Sequence, residues 1–228
     1  MTMIGDKLQQ VRARIVTACT TAGRDPASVR LLAVSKTIDA GAVRAAHAAG
    51  QRAFGENYVQ EGVTKIEALA DLRERLEWHC VGPLQSNKTR LVAAHFDWVH
   101  GIDRLKIAER LAEQRPAHLA PLQVCLQLNV DGGANKSGVA AEEALALAQG
   151  VARLPRLRLR GLMAIPEPAP DFAAQHALFV RAAVLFEQIR AAGIALDTLS
   201  LGMSADLEAA IAAGSTMVRV GTAIFGQR

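Results

Sequence analysis

Short, almost wholly apolar runs alternate along this chain with longer stretches in which apolar residues recur at helical spacing. A helical stretch comes first: Leu8, Val11, Ile15 and Ala18 share one face, and Gly23 and Pro26 end it. After it, apolar runs predict strands over 30–36, 52–57, 77–82, 98–102, 122–130, 157–165, 198–203 and 216–221. Ala/Leu/Glu/Arg-rich stretches predict helices over 40–49, 58–75, 86–94, 104–114, 141–153, 172–192 and 205–213. Strands with almost no polar face are buried on both sides, which implies a parallel sheet covered by helices. Eight strands with helices between them point to an α/β fold of the TIM (β/α)8 barrel type with an extra N-terminal helix. A doubly wound open sheet is the competing arrangement. No Pro/Ser-rich linker or shift of composition divides the chain, so 1–228 is expected to be a single domain.

In such a barrel the chemistry sits at the carboxyl ends of the strands and in the loops that follow. Polar residues collect at those ends: Ser35 and Lys36, Glu56 and Asn57, His79, Asn129 and Asp131, Ser204, then Arg219 and Thr222. Lys36 stands out, because an amine ending a buried strand is costly without a purpose. Burial disfavours its charged form and makes a nucleophilic amine accessible, one able to condense with an aldehyde. Ser204 precedes a helical pattern and reads as its N-cap, where free N–H groups favour an anion. Gly221 admits a close backbone approach and Thr222 adds a hydroxyl, so the loops after strands seven and eight read together as a phosphate cup. Arg219, two residues before Gly221, faces the same side. It suits either a hydrogen bond to a pyridine nitrogen or an internal ion pair with Glu56.

Other candidates are open to blander readings. His79 is a possible accessory group or a hydrogen-bonded core histidine. Asn57 either lies beside a planar ring or caps the next helix. Lys136 either contacts an anionic ligand or is a solvated loop lysine. The run DGGANKS at 131–137 fails as a P-loop, because Asn135 replaces the glycine required before the lysine. GMSAD at 202–206 lacks the second glycine of a hydrolase nucleophile elbow. The six histidines show no metal-ligand spacing, and the prolines of PEPAP at 166–170 enforce an extended rim.

Bulk properties narrow the class. The net charge of +4 is scattered and only 4% of residues are aromatic, so no nucleic-acid partner is expected. Three cysteines without CxxC spacing read as buried free thiols in a reducing compartment. No apolar stretch approaches a membrane span and the first residues lack a signal-peptide core, so a soluble cytoplasmic protein is expected.

Several strings resemble the pyridoxal phosphate homeostasis protein family, relatives of the barrel half of alanine racemase. They are LAVSKT at 32–37, FGENYVQE at 54–61, WHCVGPLQSNK at 78–88, NKSG at 135–138, RGLMAIP at 160–166, LGMSAD at 201–206 and RVGTAIFG at 219–226. They occur in order over nearly the whole length. The resemblance implies that Lys36 carries pyridoxal 5′-phosphate (PLP) as an internal aldimine. It implies that Ser204, Gly221 and Thr222 hold the phosphate with the Met203 backbone nearby, that Arg219 faces the pyridine nitrogen, and that Asn57 lies near the ring. Lys136 matches a family lysine implicated in handling the cofactor. The family often shows a second basic residue just after the Schiff-base lysine. Here Ile38 and Asp39 follow Thr37, which speaks against a relay through that turn.

The function so implied is PLP binding, buffering and delivery, with an influence on amino-acid and keto-acid balance. PLP is the expected ligand, PLP-dependent apo-enzymes are the expected recipients, and a monomer is expected. No robust catalysis is expected: the chain ends after strand eight, where racemases continue into a domain supplying an opposing tyrosine, and Tyr58 does not match that base. Racemisation needs acid/base groups on both faces of the cofactor. The competing readings are a low-efficiency amino-acid racemase using His79 or a water as second base, a colourless Schiff-base aldolase acting on a phosphorylated sugar, and a regulatory scaffold indifferent to Lys36.

Overall fold

The computed structural model describes residues 3–132 and 137–226. Eight parallel strands close on themselves in chain order: β1 (Arg30–Val34), β2 (Ala53–Glu56), β3 (Glu77–Cys80), β4 (Trp98–Ile102), β5 (Leu122–Leu128), β6 (Leu157–Ala164), β7 (Thr198–Ser200) and β8 (Met217–Val220). The closing seam sets Leu32 opposite Arg219 and Ala33 opposite Val220. This seam decides for the barrel over the open sheet.

The helices are α1 (Met3–Thr21), α2 (Ala40–Ala48), α3 (Val59–Ala68), α4 (Thr89–His95), α5 (Leu105–Gln114), α6 (Ala141–Ala152), α7 (Phe172–Ala191), α8 (Leu207–Ala212) and α9 (Thr222–Phe225). The helix after β8 is a single turn, too short to cover its strands. The N-terminal α1 takes that place in the outer ring, packed on α8, α9 and α2. Its predicted apolar face, Leu8, Val11, Ile15 and Ala18, is buried there. Asp39 and Asp171 cap α2 and α7, each accepting from a backbone N–H at 2.8 Å.

Strands one, three and five each end two residues before the expected position and α4 begins at Thr89, and three further departures from the sequence pattern shape the structure. The expected helix over 58–75 stops at Ala68, and the tighter turn Ala70–Arg75 returns Leu72 to the core. The seventh strand ends at Ser200 rather than 203, because the chain swings through a left-handed Gly202 (φ 88°). The eighth helix begins at Leu207, not 205. Asp206 turns its carboxylate back onto the Met203 N–H (2.6 Å) and holds residues 204–206 as a turn. Ser204 is therefore not the N-cap of this helix.

Strand periodicity divides the side chains between two layers. Ala33, Phe54, Trp78 and Val99 face the helices. Inside the barrel, Leu32, Ala53, Val81 and Met217 form one apolar group, and Trp98, Cys125 and Met163 another. Between them lies a column of buried polar groups: His79, His100, Ser200 and Arg219.

Candidate functional site

A cavity of about 750 Å³ opens at the carboxyl ends of the strands. Lys36 reaches it from the loop after β1, Asn57 from the loop after β2, Met203 and Ser204 from the turn after β7, Arg219 from β8, and Gly221 and Thr222 from the end of β8. Val34, Val81, Ile165 and Phe225 supply flat apolar walls. The seven residues singled out as cofactor-binding in the sequence thus line one cavity, although they come from four parts of the chain. Lys136 lies outside the described residues.

Lys36 is half-buried at the cavity, two residues beyond the end of β1, rather than buried within the strand as expected. Its neighbour Thr37 has φ 61°, a left-handed conformation that is strained for a β-branched residue. A clamp holds this turn. The Thr37 N–H donates to Glu61 Oε1. Lys65 Nζ donates to Glu61 (2.6 Å), to both Glu56 oxygens (2.9 and 3.0 Å) and to the Ser35 carbonyl (2.5 Å). The Ser35 hydroxyl in turn donates to Glu56 Oε1 at 2.6 Å. Glu56 is 0% exposed. Burial raises its carboxyl pKa, against the opposing pull of hydrogen bonds from Ser35 and Lys65.

The alternative partner for Arg219 is thereby excluded. Glu56 follows Gly55, which pairs with the inward His79, so Glu56 points outward to α3 and away from Arg219. Arg219, 4% exposed, instead donates to the Ser200 carbonyl (2.6 Å), the Ser200 hydroxyl (2.7 Å) and the Ala164 carbonyl (2.9 Å). Burial lowers its pKa to about 10, which still leaves it protonated at neutral pH. Three of its five N–H groups are used by these bonds.

The glycine end of the cavity is set by backbone approach. A Cβ on Gly221 would stand 2.9 Å from the Val34 carbonyl oxygen, so only glycine fits where β8 leaves beside β1. Arg14 of α1 donates to the Ser204 carbonyl at 2.7 Å and is paired with Glu208 of α8 at 2.5 Å, which pins the turn carrying Ser204. Asn57 is placed by contact with Gly82, where a Cβ would come within 2.3 Å of the Asn57 carbonyl oxygen. Tyr58, not Asn57, occupies the cap position of α3, and it makes no side-chain capping bond.

His79 does not line the cavity. It is fully buried, with Nε2 at 2.7 Å from Glu77 Oε1 and Nδ1 at 2.9 Å from His100 Nε2. This placement removes it as a second base. The three cysteines are free and buried, as expected, and burial pushes Cys80 and Cys125 up to about 12. No group of three or more metal-ligating side chains is present among the described residues. No described helix is long and apolar enough to cross a membrane.

Glu77 makes a testable contribution to stability. Burial acts to raise its pKa, but the hydrogen bond from His79, the charge His79 carries once it is protonated in acid, and the charge of Arg30 prevail and hold it at about 2, below the usual 4.5. A lowered folded-state value means that the stabilisation is present above about 4.5 and is lost as pH falls from there towards 2. With the side chain 34% exposed and His79 uncharged at neutral pH, solvent screening leaves a contribution of about 1 kcal/mol. The urea midpoint of Glu77→Gln is expected to lie below that of the unmodified protein at neutral pH and to converge with it near the acid limit. An equal gap at both pH values would refute the assignment.

Sequence reading missed Arg14, Glu61, Lys65, Gly82, His100 and Ser200. Glu61 and Lys65 at i,i+4 spacing look like an ordinary surface pair, and the others carry no local signature. The donor set suits a flat heteroaromatic aldehyde bearing a phosphate. It combines an amine, a cation beside apolar walls, and hydroxyls at a glycine-lined end.

Comparison with known proteins agrees with this chemistry. The family model for the alanine racemase N-terminal domain matches residues 7–228. A pyridoxal phosphate homeostasis protein of Pseudomonas aeruginosa is 61% identical over 100% of this chain and 97% of its own length. The structure of PipY from Synechococcus elongatus with PLP bound superposes with a TM-score of 0.85 at 38% identity, covering 98% of this chain and 100% of that one. An alanine racemase from Corynebacterium glutamicum shares the fold at 19% identity and a TM-score of 0.70, over 97% of this chain and 62% of that chain.

Proposed function

The chain belongs to the pyridoxal phosphate homeostasis protein family, whose barrel is that of the alanine racemase N-terminal domain, and from that premise we propose that it binds PLP covalently through Lys36 and passes it on. One observation carries the reading: Lys36, Arg219 and the Ser204, Gly221 and Thr222 cup all face a single cavity. When bound, PLP supplies an aldehyde and an electron-withdrawing ring. Lys36 Nζ would hold the aldehyde carbon covalently, with loss of water. Ser204, Gly221 and Thr222 hold the phosphate by hydroxyl and backbone N–H groups, with Met203 at its edge, and Asn57 lies beside the ring. Arg219 would face the ring nitrogen.

Two features favour holding over turnover. A protonated guanidinium keeps the ring nitrogen unprotonated, which weakens the ring as an electron sink. Among the described residues lining the cavity, Lys36 and Arg219 are the only titratable side chains, so none of these residues supplies a second base opposite Lys36. We place Lys136 as an accessory group in cofactor handling. The carrier acts as a cytoplasmic monomer, made of one domain, that serves PLP-dependent apo-enzymes.

The test is to load the protein with PLP, remove the free cofactor and add an apo-enzyme that needs it. A visible absorption band on loading, borohydride label on the peptide containing Lys36, and recovery of apo-enzyme activity are the expected results. Sustained exchange of the Cα proton of amino acids at enzyme-like rates would replace the carrier by a racemase. A protein that stays colourless with PLP would remove both.

A further inference from the structure

The buried polar column inside the barrel is continuous from one end to the other. Arg219 Nη1 donates to the Ser200 hydroxyl at 2.7 Å. The Ser200 hydroxyl oxygen lies 3.2 Å from His100 Nδ1, His100 Nε2 lies 2.9 Å from His79 Nδ1, and His79 Nε2 lies 2.7 Å from Glu77 Oε1. Glu77 opens β3 at the end of the barrel opposite the cavity, and Arg30 Nη2 holds its carboxylate at 2.7 Å.

The direction of every bond follows from the two ends. A guanidinium can only donate and a carboxylate can only accept. Ser200 accepts from Arg219, so its own proton is available to His100 Nδ1. His100 then carries its proton on Nε2 and donates to His79 Nδ1. His79 likewise carries its proton on Nε2 and donates to Glu77. Both histidines are neutral in this arrangement. The opposite arrangement needs a charged histidine within the barrel and strands the Ser200 hydroxyl proton. Burial lowers the pKa of both rings, which opposes it. Trp98 stacks on His79 with ring centroids 5.1 Å apart and planes 12° apart, and the Arg160 guanidinium lies 4.8 Å from the Trp98 ring centroid. The column is thus sheathed against tilting.

We propose that Glu77, His79, His100 and Ser200 form a one-way chain of hydrogen bonds that fixes the Arg219 guanidinium from the far end of the barrel, and so are positioning residues for the cofactor ring. The place of the ring rests on the function proposed above; the chain itself does not. It moves no net proton, since the cation and the anion at its ends are each in their stable form. Its effect is to orient aligned donors and to keep the remaining guanidinium N–H groups aimed into the cavity.

Two measurements test this. In cofactor-free protein labelled with 15N-histidine, two-dimensional NMR at neutral pH is expected to show His79 and His100 neutral and protonated on Nε2. Either ring protonated on Nδ1, or charged, overturns the chain. In protein loaded with PLP, Ser200→Ala is expected to shift the visible band and weaken binding about tenfold, the equivalent of one hydrogen bond to a charged group. Glu77→Gln, at the opposite end, is expected to shift the band and both histidine resonances, whereas Glu74→Gln, on the same rim outside the chain, leaves them in place. Glu77→Gln without effect on either histidine overturns the proposal, even if Ser200→Ala does not fold. Absence of any visible band in the unmodified protein would instead defeat the PLP reading, and the NMR result would still decide the chain.

Discussion

Alanine in place of Lys36 is expected to abolish both the visible band acquired with PLP and the covalent label left by borohydride. The fold should barely register the change. Lys36 is half-buried in a loop outside the apolar core, and substitutions away from core and caps typically alter stability by about 0.5 kcal/mol or less. The cup and Arg219 remain, so weak reversible binding of PLP should persist without colour. Lys65 is the other amine close to the Ser35 to Thr37 turn, but it cannot take over. Its side chain is 7% exposed and its ammonium is already engaged by Ser35, Glu56 and Glu61. Peptide mapping that finds label elsewhere than residue 36, or an alanine variant that still colours, would sink the assignment.

Lys65→Met is expected to cost about 3–5 kcal/mol, the range for removing one partner of a buried ion pair. The loss is large because Glu56 is left buried with only the Ser35 hydroxyl as partner. The carboxyl should respond by taking up a proton, since burial already raises its pKa. A raised folded-state value penalises the ionised form, so the variant should regain part of its stability as pH falls through that value. The clamp also fails: Glu61 loses its anchor, Thr37 can leave its left-handed conformation, and Lys36 loses its direction. PLP binding should fall along with stability. Adding Glu56→Gln should restore much of the urea midpoint, since an amide has no charge to bury, while leaving binding impaired. A single variant that loses less than about 1 kcal/mol would show that the pair behaves as a surface contact.

The contrast between the two lysines marks how far the sequence could be read. Lys36 announced itself because it follows an apolar run, and a charge at that place demands a reason. Lys65 did not, because a lysine four residues after a glutamate looks the same on a solvated helix as on one pressed against a sheet. Arg219 was legible as a group on the Gly221 side of β8, but its partner was not. Glu56 was a reasonable candidate by height, and strand phase sent it outward. His79 was read as a polar group at the cavity end, whereas it lies buried inside the barrel and bonds towards Glu77. That it bonds to His100 depends on the β3–β4 register, which no local pattern encodes.

Hydrophobic periodicity alone determined the eight strands, the order of helices between them and the end of the barrel at which polar residues gather. Those features depend on spacing within a segment, which the chain carries locally. Closure of β8 on β1, the swing at Gly202 that delays α8, and the anchoring of the Ser204 turn by Arg14 were decided only in three dimensions. The column from Glu77 to Arg219 belongs with them. Each of these joins residues far apart in the chain, and such contacts are fixed by packing of the whole barrel rather than by any one segment's preference.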